Sequence, residues 1–455
     1  MLIGRDSEIR VLNEYKRRSG NQVMVLYGLF GIGKTALIQE FVSDNPNSLV
    51  FSCKQVFDRE QLYQWANVAN TNLGLNEYPE YSDLFRAIDA HFAASEGKNI
   101  LVFDEFQYLL KYGNDFTNEL FSFLSATDKN YFCILVSSSI EWVENSMVSK
   151  IGTNARGITG FFKVKELTFS DFRTYFTKFR YDECVNGYAI LGGIPKLWRY
   201  FDKNKSLKDN IINNIVTPGA PLLTYGEDFV KMELRETSIY STILYALANG
   251  KNKLNDLFSH TLFSRAKISV YIKNLMELGI VSKEYSVDTE GRSNTQKGIY
   301  DIALNYVDFS YKFLFPFMDE LNYKEPVAYF NEHIKPNLKR YTAKYFPAIC
   351  KEFLEKENNF GNLPIHYTKM GSWIGKAGTI DFVCKDNEGH ILIALCNWEK
   401  PMMRYDDYEW LMFCCKQAKI KPDAIFLFSA GDFDDGIRFA ASNKKNIRLI
   451  SIDEL

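Results

Sequence analysis

The sequence lacks the features that mark membrane, secreted and zinc-binding proteins. No apolar run approaches the roughly 20 residues that a membrane-spanning helix needs. The first residues turn polar at once, so we expect no signal peptide. The eight cysteines form no CxxC pair, and the five histidines are scattered, which argues against a zinc site. We therefore expect a cytoplasmic protein with reduced cysteines and no membrane partner.

An excess of charge of either sign is also lacking. The chain carries 54 Lys and Arg against 56 Asp and Glu, a formal net charge of -2. Any surface that attracts nucleic acid must therefore be local. Repeats and low-complexity tracts are not seen, and the 46% of apolar residues is ordinary for a soluble globular protein. A length of 455 residues predicts two to four domains.

The most informative stretch is YGLFGIGKTALI, residues 27 to 38. It places Gly28 four residues before Gly33, Lys34 and Thr35. A Val- and Leu-rich run precedes it, and KTALIQEFV after it has helical spacing. Strand, glycine-rich loop and helix in this order are the context of a Walker A phosphate-binding loop.

Each residue type in this loop has a physical reason to bind nucleotide. Glycines let backbone N–H groups curl around phosphates, and the helix N-terminus adds a favourable dipole. Lys34 is expected to reach the β- and γ-phosphates of ATP, and Thr35 to bind Mg²⁺. The predicted nucleotide-binding residues of the loop are Gly28, Gly31, Ile32, Gly33, Lys34, Thr35 and Ala36.

Two further strands end in polar residues. NILVFDEFQYLL ends its apolar run in Asp104 and Glu105, which are poor core residues but are well placed beside bound phosphates. Asp104 is expected to hold Mg²⁺ and Glu105 to polarise the attacking water. YFCILVSSS ends in serines at 137 to 139. These serines form either a turn or a γ-phosphate sensor, and we favour Ser138 as the sensor.

Five segments together carry a family resemblance. They occur in the order LIGRDSEIRVL, YGLFGIGKTAL, ILVFDEFQYLL, CILVSSSIEWVE and LGGIPKLW. As a set they resemble the archaeal-type ATPases of the AAA+/STAND group. The resemblance implies that Gly4 and Arg5 lie near the adenine and that Ser138 occupies the sensor-1 position.

Two later features gain a role only through that resemblance. It implies that Gly193 and Pro195, in GGIP, form a lid motif that packs on the nucleotide. From the residues alone, GGIP is more simply a turn that ends a helix. Arg156 falls where the family often has an arginine able to approach phosphate. Its position does not say whether it acts in its own subunit or in a neighbouring one.

The middle of the chain has the pattern of a winged helix. Three helical segments, ELRETSIYSTILYALANG, KLNDLFSH and SRAKISVYIKNLMELGIV, precede a predicted hairpin formed by VSKEYSV and IYDIAL. Ser264 is the expected N-cap of the third helix and Gly279 its C-terminal stop. This arrangement is a common DNA-reading module, and it resembles the winged helix that follows the ATPase in the same family.

DNA binding does not follow directly from this pattern. Residues 231 to 300 contain ten Lys and Arg against seven acids, a thin surplus for a DNA-binding surface. Arg265, Lys267 and Arg292 could contact phosphates from the helix start and the wing. A winged helix that packs domains together is an equal alternative.

The C-terminal third, from about Lys324, alternates helices and strands in a pattern that resembles the restriction-nuclease-like domain at the end of this family's chains. Cleavage in that fold needs an acid on one strand, and an acid and a lysine two residues apart on the next. Asp381 supplies the first acid, but the paired positions are Leu395 and Asn397. An upstream glutamate is replaced by Pro347. Glu399 or Glu388 could restore a metal site, but without an accompanying lysine.

We therefore predict an α/β protein with a P-loop AAA+-type parallel-sheet ATPase and a C-terminal PD-(D/E)xK-like domain. The expected domains are the ATPase core at 1–165, a helical lid at 166–218, the winged helix at 219–322 and the nuclease-like domain at 323–455. The cofactors would be ATP or ADP and Mg²⁺, and hydrolysis would drive a conformational switch. The alternatives are a DNA-binding module with structural nucleotide and, less favoured, an active nuclease. A protein partner and a homo-oligomer both stay open.

Overall fold

The computed structural model describes residues 2–67, 73–77, 79–111, 113–289 and 298–455. The chain forms two compact units. The first contains residues 1–167 and the tripeptide 194–196, and the second contains residues 168–193 and 197–455. No helix among the described residues is long and apolar enough to cross a membrane.

The first unit is built on a five-stranded parallel sheet, as its apolar runs predict. Its strands are β1 (Gln22–Tyr27), β2 (Ser48–Ser52), β3 (Lys98–Asp104), β4 (Asn130–Ser137) and β5 (Gly160–Lys163). Their order in the sheet is β2-β3-β4-β1-β5, so β4 lies between β1 and β3. The ends of β1, β3 and β4 therefore meet at one edge of the sheet, where part of the predicted site lies.

Helices cover both faces of this sheet. They are α1 (Asp6–Arg17), α2 (Lys34–Ser43), α3 (Asp58–Asn67), α4 (Tyr81–His91), α5 (Asp115–Ala126) and α6 (Met147–Ile151). Successive residues of β1 point to opposite faces, as the pleat requires. Val23 and Val25 enter one apolar cluster, while Met24 and Leu26 enter the other. This burial on both faces explains why the strands are nearly continuous apolar runs.

The second unit begins with short helices and continues into the winged helix. The short helices are α7 (Phe169–Tyr175), α8 (Tyr181–Leu191), α9 (Pro195–Trp198, of which residues 195 and 196 belong to the first unit), α10 (Leu207–Ile211) and α11 (Tyr225–Glu233). The winged helix contains α12 (Thr237–Ala248), α13 (Leu254–Thr261), α14 (Arg265–Glu277) and the antiparallel pair β6 (Val281–Glu284) and β7 (Ile299–Ile302).

Local signals for the third helix are confirmed. The Ser264 hydroxyl accepts a hydrogen bond from Lys267 N, as an N-cap does. Gly279 follows the helix with a φ of 70°, which suits glycine. The tip of the wing, including Arg292, lies outside the described residues.

The base of the wing packs on the C-terminal sheet. Ile374 N donates to the Ser286 hydroxyl at 2.9 Å, and the Ser372 hydroxyl donates to Glu284 at 2.6 Å. Val287 packs against the core of that sheet. The winged helix therefore serves in packing between domains, whatever else it binds.

The rest of the second unit contains further helices and a mixed five-stranded sheet. The helices are α15 (Asn305–Phe313), α16 (Pro326–Tyr329), α17 (Lys335–Ala343), α18 (Phe346–Phe360), α19 (Tyr405–Ala418) and α20 (Asp435–Asn443). The strands are β8 (Lys369–Ile374), β9 (Thr379–Lys385), β10 (Ile391–Asn397), β12 (Ala424–Ser429) and β14 (Ile447–Ser451), with a separate short pair β11 (Met402–Met403) and β13 (Asp432–Phe433). The sheet order is β14-β12-β10-β9-β8.

Asp381 does not share a site with Leu395 and Asn397. An irregularity next to Asp381 breaks the alternation, because Gly371 pairs with Val383 while Trp373 pairs with Ile380. Leu395 packs into the apolar cluster that contains Ile380 and Val383. The Asp381 carboxylate instead accepts a hydrogen bond from Cys396 N at 2.7 Å.

Asn397 is also occupied. Its amide donates to Lys400 O and to the Ser429 hydroxyl, both at 3.1 Å. Its carbonyl oxygen accepts from Lys400 N at 3.0 Å. The side chain thus fixes the turn that follows β10.

Candidate nucleotide-binding site

The backbone of the loop between β1 and α2 takes a path that requires glycine at several positions. A Cβ on Gly28 would lie 2.7 Å from Val164 O, which is too close for any side chain. Gly31 and Gly33 have φ values of 82° and 97°, in the left-handed region that favours glycine. The sequence therefore dictates a tight backbone curve at the end of β1, with the N-terminus of α2 at its other end.

Lys34 is buried within this curve, with 5% of its surface exposed. Its ammonium donates to Gly28 O at 2.9 Å and to Leu29 O at 3.1 Å. Burial lowers the pKa of Lys34, while the negative charges of Glu105 and Asp104 act in the opposite direction. The three charged side chains therefore share one electrostatic environment.

Thr35 and Asp104 come together as the motifs predict. The Thr35 hydroxyl donates to Asp104 Oδ2 at 3.0 Å. Asp104 Oδ1 is buried and has no hydrogen-bond partner among the described residues. Burial raises the pKa of Asp104, and the neighbouring charge of Glu105 raises it further. A hydroxyl beside a carboxylate with a buried, unpaired oxygen is a donor set that fits Mg²⁺.

Glu105 lies directly after β3 with a φ of 60°, unusual for a residue with a side chain. Its Oε2 accepts three hydrogen bonds: from the Ser138 hydroxyl at 2.5 Å, from Ser138 N at 3.1 Å and from Gln107 Nε2 at 2.6 Å. Because β4 is adjacent to β3, Ser138 follows the strand next to the one that Glu105 follows. The left-handed backbone is thus stabilised by its side-chain contacts.

The tripeptide Ile194–Lys196 contacts the loop. Lys196 N donates to Gly31 O at 3.2 Å. A Cβ on Gly33 would lie 3.5 Å from Pro195 Cγ. Pro195 is therefore next to the loop, and not only part of a turn that ends a helix.

Comparison with known families gives matches to three parts of the chain. Residues 2–201 match the family described as an ATPase domain predominantly from Archaea. This part of the chain is therefore similar to archaeal-type ATPase domains. Residues 241–283 match a model described as a bacterial regulatory protein of the arsR family, and residues 310–409 match archaeal and bacterial proteins of unknown function.

Two known proteins are similar to a larger part of the chain. An uncharacterised protein of Methanocaldococcus jannaschii is 27% identical over 422 residues, covering 88% of each chain. The fold is similar to that of a Walker-type ATPase of Pyrococcus abyssi, with a TM-score of 0.50 and 18% identity. That similarity covers 68% of this chain and 96% of the other.

Gly4 and Arg5, which were predicted to lie near the adenine, are next to the loop, and Arg5 forms a hydrogen bond with it. Gly4 has a φ of 65° and directly precedes Arg5, which is 4% exposed. The Arg5 guanidinium donates to Ile32 O at 2.8 Å, to Lys165 O at 2.9 Å and to Glu8 at 2.6 Å. It thereby joins α1, the loop and the segment after β5. A role near adenine stays a prediction.

Arg156 is exposed in the ATPase domain, on a 3-10 helix from Gly152 to Gly157. This segment packs on α5, where the Asn154 amide donates to Asn118 Oδ1 at 2.7 Å. No described residue forms an ion pair or hydrogen bond with the Arg156 side chain. A contact with a neighbouring subunit is therefore sterically open, and the role of Arg156 stays a prediction.

Two residues of the site could not be predicted from the sequence. Gln107 contacts Glu105, but an amide two residues after an acid carries no recognisable signal. Lys196 follows Pro195 and lies beside the loop, with its ammonium 4.2 Å from the centre of the Phe30 ring. The sequence KLW gives no indication of this contact, which depends on the path of the chain.

Proposed function

We propose that the ATPase domain binds ATP with Mg²⁺ and hydrolyses it slowly. The observation that carries this proposal is the buried, unpaired Asp104 oxygen beside the Thr35 hydroxyl and near the Lys34 charge. An unpaired buried carboxylate oxygen is costly unless a cation satisfies it. Thr35 and Asp104 would hold Mg²⁺, which neutralises phosphate charge when bound.

Each side chain then has a distinct task. The N–H groups of residues 31–36 and the Lys34 ammonium bind the phosphates. Glu105 orients a water and accepts its proton at Oε1, since Oε2 is already occupied by three donors. Ser138 holds the Glu105 carboxylate in place and is close enough to sense what Glu105 contacts. Donors that compete with water for this carboxylate support a slow turnover.

The test is ATP turnover by Lys34→Ala and Glu105→Gln. We expect Lys34→Ala to lose both nucleotide binding and hydrolysis, and Glu105→Gln to keep binding but lose hydrolysis by a factor of about 100 or more. Lys150→Ala removes an exposed lysine of α6 in the same unit and is the matched control. Turnover that survives both site substitutions would refute the catalytic assignment.

We further propose that ATP acts as a switch that moves the rest of the chain. The helices after residue 167 belong to the same unit as the C-terminal domain. Glu352 accepts from Phe169 N at 2.7 Å and from Ser170 N at 3.1 Å, so it caps α7. Leu455 O accepts from Arg173 at 2.5 Å and from Tyr181 at 2.7 Å. A displacement of the lid would therefore carry the C-terminal domain with it.

In this proposal the C-terminal domain is a scaffold that does not cut DNA. Asp381 is bound to Cys396 N, and the next strand offers neither an acid nor a lysine beside it. Glu388 is exposed in the turn before β10, and Glu399 is exposed after it. We expect no Mg²⁺-dependent nicking of plasmid DNA. Nicking that disappears in Asp381→Ala would contradict this scaffold role.

A second candidate function is DNA binding by the winged helix. It is supported by the match to a bacterial regulatory protein and by the exposed face of α14, which includes Ser269 and Lys273. Against it, Arg265 contacts Asn255 at 3.1 Å and the base of the wing is used in packing. Binding to duplex DNA at several salt concentrations, with and without ATP, separates the two, because phosphate contacts give a steep salt dependence.

A further inference from the structure

The exposed face of α14 is formed mainly by small and apolar side chains. The buried residues of this helix are Ile268, Ile272 and Leu275. Positions 266, 269, 270 and 273 lie three or four residues apart, so they share the opposite face. The exposed side chains at these positions belong to Ala266, Ser269, Val270 and Lys273. Val270 is 57% exposed, so the first two turns of α14 present methyl groups to the outside.

The same part of the winged helix carries a local excess of positive charge. Residues 253–276 contain α13 and nearly all of α14, and they hold four Lys and Arg against one acid, Asp256. The basic residues are Lys253, Arg265, Lys267 and Lys273. Lys273 forms an ion pair with Glu277 at 3.5 Å, but a solvent-exposed pair of this kind contributes little. Lys273 is therefore able to exchange Glu277 for a phosphate, and the charge of this region is complementary to a polyanion.

The side chains of the exposed face fit some base edges better than others. Thymine presents its C5 methyl group in the major groove of duplex DNA, and apolar side chains such as alanine contact that group. Guanine and adenine are instead bound by the longer side chains of Arg, Lys, Asn or Gln. None of these residue types stands at positions 266, 269 or 270. The hydroxyl of Ser269 forms hydrogen bonds with any base, so the apolar contacts would set the preference.

Arg265, the first residue of α14, is held on the neighbouring helix. Its Nε donates to Asn255 Oδ1 at 3.1 Å, and its guanidinium carbon lies 4.4 Å from the centre of the Phe258 ring. Asn255 and Phe258 both belong to α13. The guanidinium is thus drawn toward α13, away from the face that Ala266 and Val270 form. This position suits a contact with phosphate better than a contact with guanine.

We propose that α14 binds in the major groove of duplex DNA and that Ala266 and Val270 contact thymine methyl groups, so that the chain prefers duplexes rich in A·T pairs. The position of these residues in the first two turns agrees with the docking of recognition helices, whose N-terminal residues contact base edges. This inference rests on the second candidate function, DNA binding by the winged helix, and adds which bases are read. Burial of one methyl group changes affinity about 4-fold.

The experiment measures equilibrium binding of the full chain to three duplexes of equal length, at low and at physiological salt. One duplex alternates A and T, the second has uracil in place of every thymine, and the third alternates G and C. Uracil lacks only the C5 methyl group, so the first two duplexes isolate the proposed contact. We expect the thymine duplex to bind about 4-fold to 15-fold more tightly than the uracil duplex, for one or two buried methyl groups.

Three variants locate the contact. Val270→Ser should reduce the preference for thymine over uracil about 4-fold and leave the affinity for the uracil duplex unchanged. Val148→Ser is the matched control, because Val148 is a 52% exposed valine on α6 of the first unit, and it should bind all duplexes like the wild type. Lys273→Met should weaken binding to all three duplexes alike and lower the salt dependence by about one phosphate contact.

The possible failures are distinguishable. If no duplex binds at low salt, the second candidate function is refuted, and this inference with it. If duplexes bind but thymine and uracil are equivalent, this inference fails alone. A thymine preference that persists in Val270→Ser, or an equal loss of affinity for all three duplexes in that variant, also overturns it. A change in the solution mass of Val270→Ser without a change in DNA binding would assign the face to a protein contact and overturn it as well.

Discussion

Neutralising Asp381 should stabilise the protein at alkaline pH. Burial raises the pKa of Asp381 to about 6, against a usual value near 3.8, and the charge of Glu284 acts in the same direction. A group with a raised folded-state pKa binds its proton more tightly in the folded chain. Its contribution to stability is therefore complete below pH 3.8 and is lost as the pH rises through about 6.

The size of this loss follows from the two pKa values. The difference between 3.8 and about 6 corresponds to about 3 kcal/mol at pH 8, and about half of that is lost at pH 5. Asp381→Asn removes the charge but keeps an oxygen that can accept from Cys396 N. The variant should therefore gain up to about 3 kcal/mol at pH 8 and about half as much at pH 5.

Urea unfolding of the full chain at pH 5 and pH 8 measures the difference in the free energy of unfolding between variant and wild type. Asp432→Asn is the matched control of opposite sign, because the Phe433 N–H and Arg438 lower the pKa of that exposed carboxylate. Asp432→Asn should lower the free energy of unfolding at pH 8, and this loss should become smaller as the pH falls. A destabilised Asp381→Asn at pH 8, or a gain equal at both pH values, would refute the reasoning that burial of Asp381 destabilises its charged form.

Two further predictions concern the nucleotide site. Because burial and Glu105 raise the pKa of Asp104, Mg²⁺-dependent ATP affinity should fall on acidification at a pH above the usual range of aspartate, as pH titrations of binding will test. Asp104→Asn should bind ATP with Mg²⁺ weakly at every pH, and its affinity should not fall further on acidification. If the variant shows the same fall as the wild type, Asp104 is not the group that titrates. If Arg156 acts in a neighbouring subunit, a non-hydrolysable ATP analogue should raise the solution mass above that seen with ADP. Arg156→Ala should then lower turnover while leaving binding by a single chain intact.

The parts of this molecule that sequence could predict are those set by local chemistry. The loop around Gly28 and Gly33 follows from the backbone angles and close contacts that only glycine permits. The Ser264 cap follows equally from a hydroxyl placed before a helical pattern. Strand β8 could not be predicted, because KMGSWI has neither clear alternation nor a continuous apolar run.

Contacts set by tertiary packing were beyond the sequence. The irregularity beside Asp381 depends on how β8 pairs with β9, and it moved the acid away from its expected neighbours. Glu352 caps α7 through a hydrogen bond with a residue 183 positions away in the sequence, and no pattern in the sequence predicts this contact. Lys196 likewise reaches the loop only because the chain returns to the first unit for three residues.

The wing also protects the sheet on which it packs. β8 is an edge strand, and an edge with unpaired N–H groups is a template for another β-strand. The Ser286 hydroxyl engages Ile374 N there, and Val287 covers part of the core beneath. A fragment that begins at residue 323 would lose this cover. Such a fragment should self-associate through β8. In the full chain, the base of the wing prevents this aggregation.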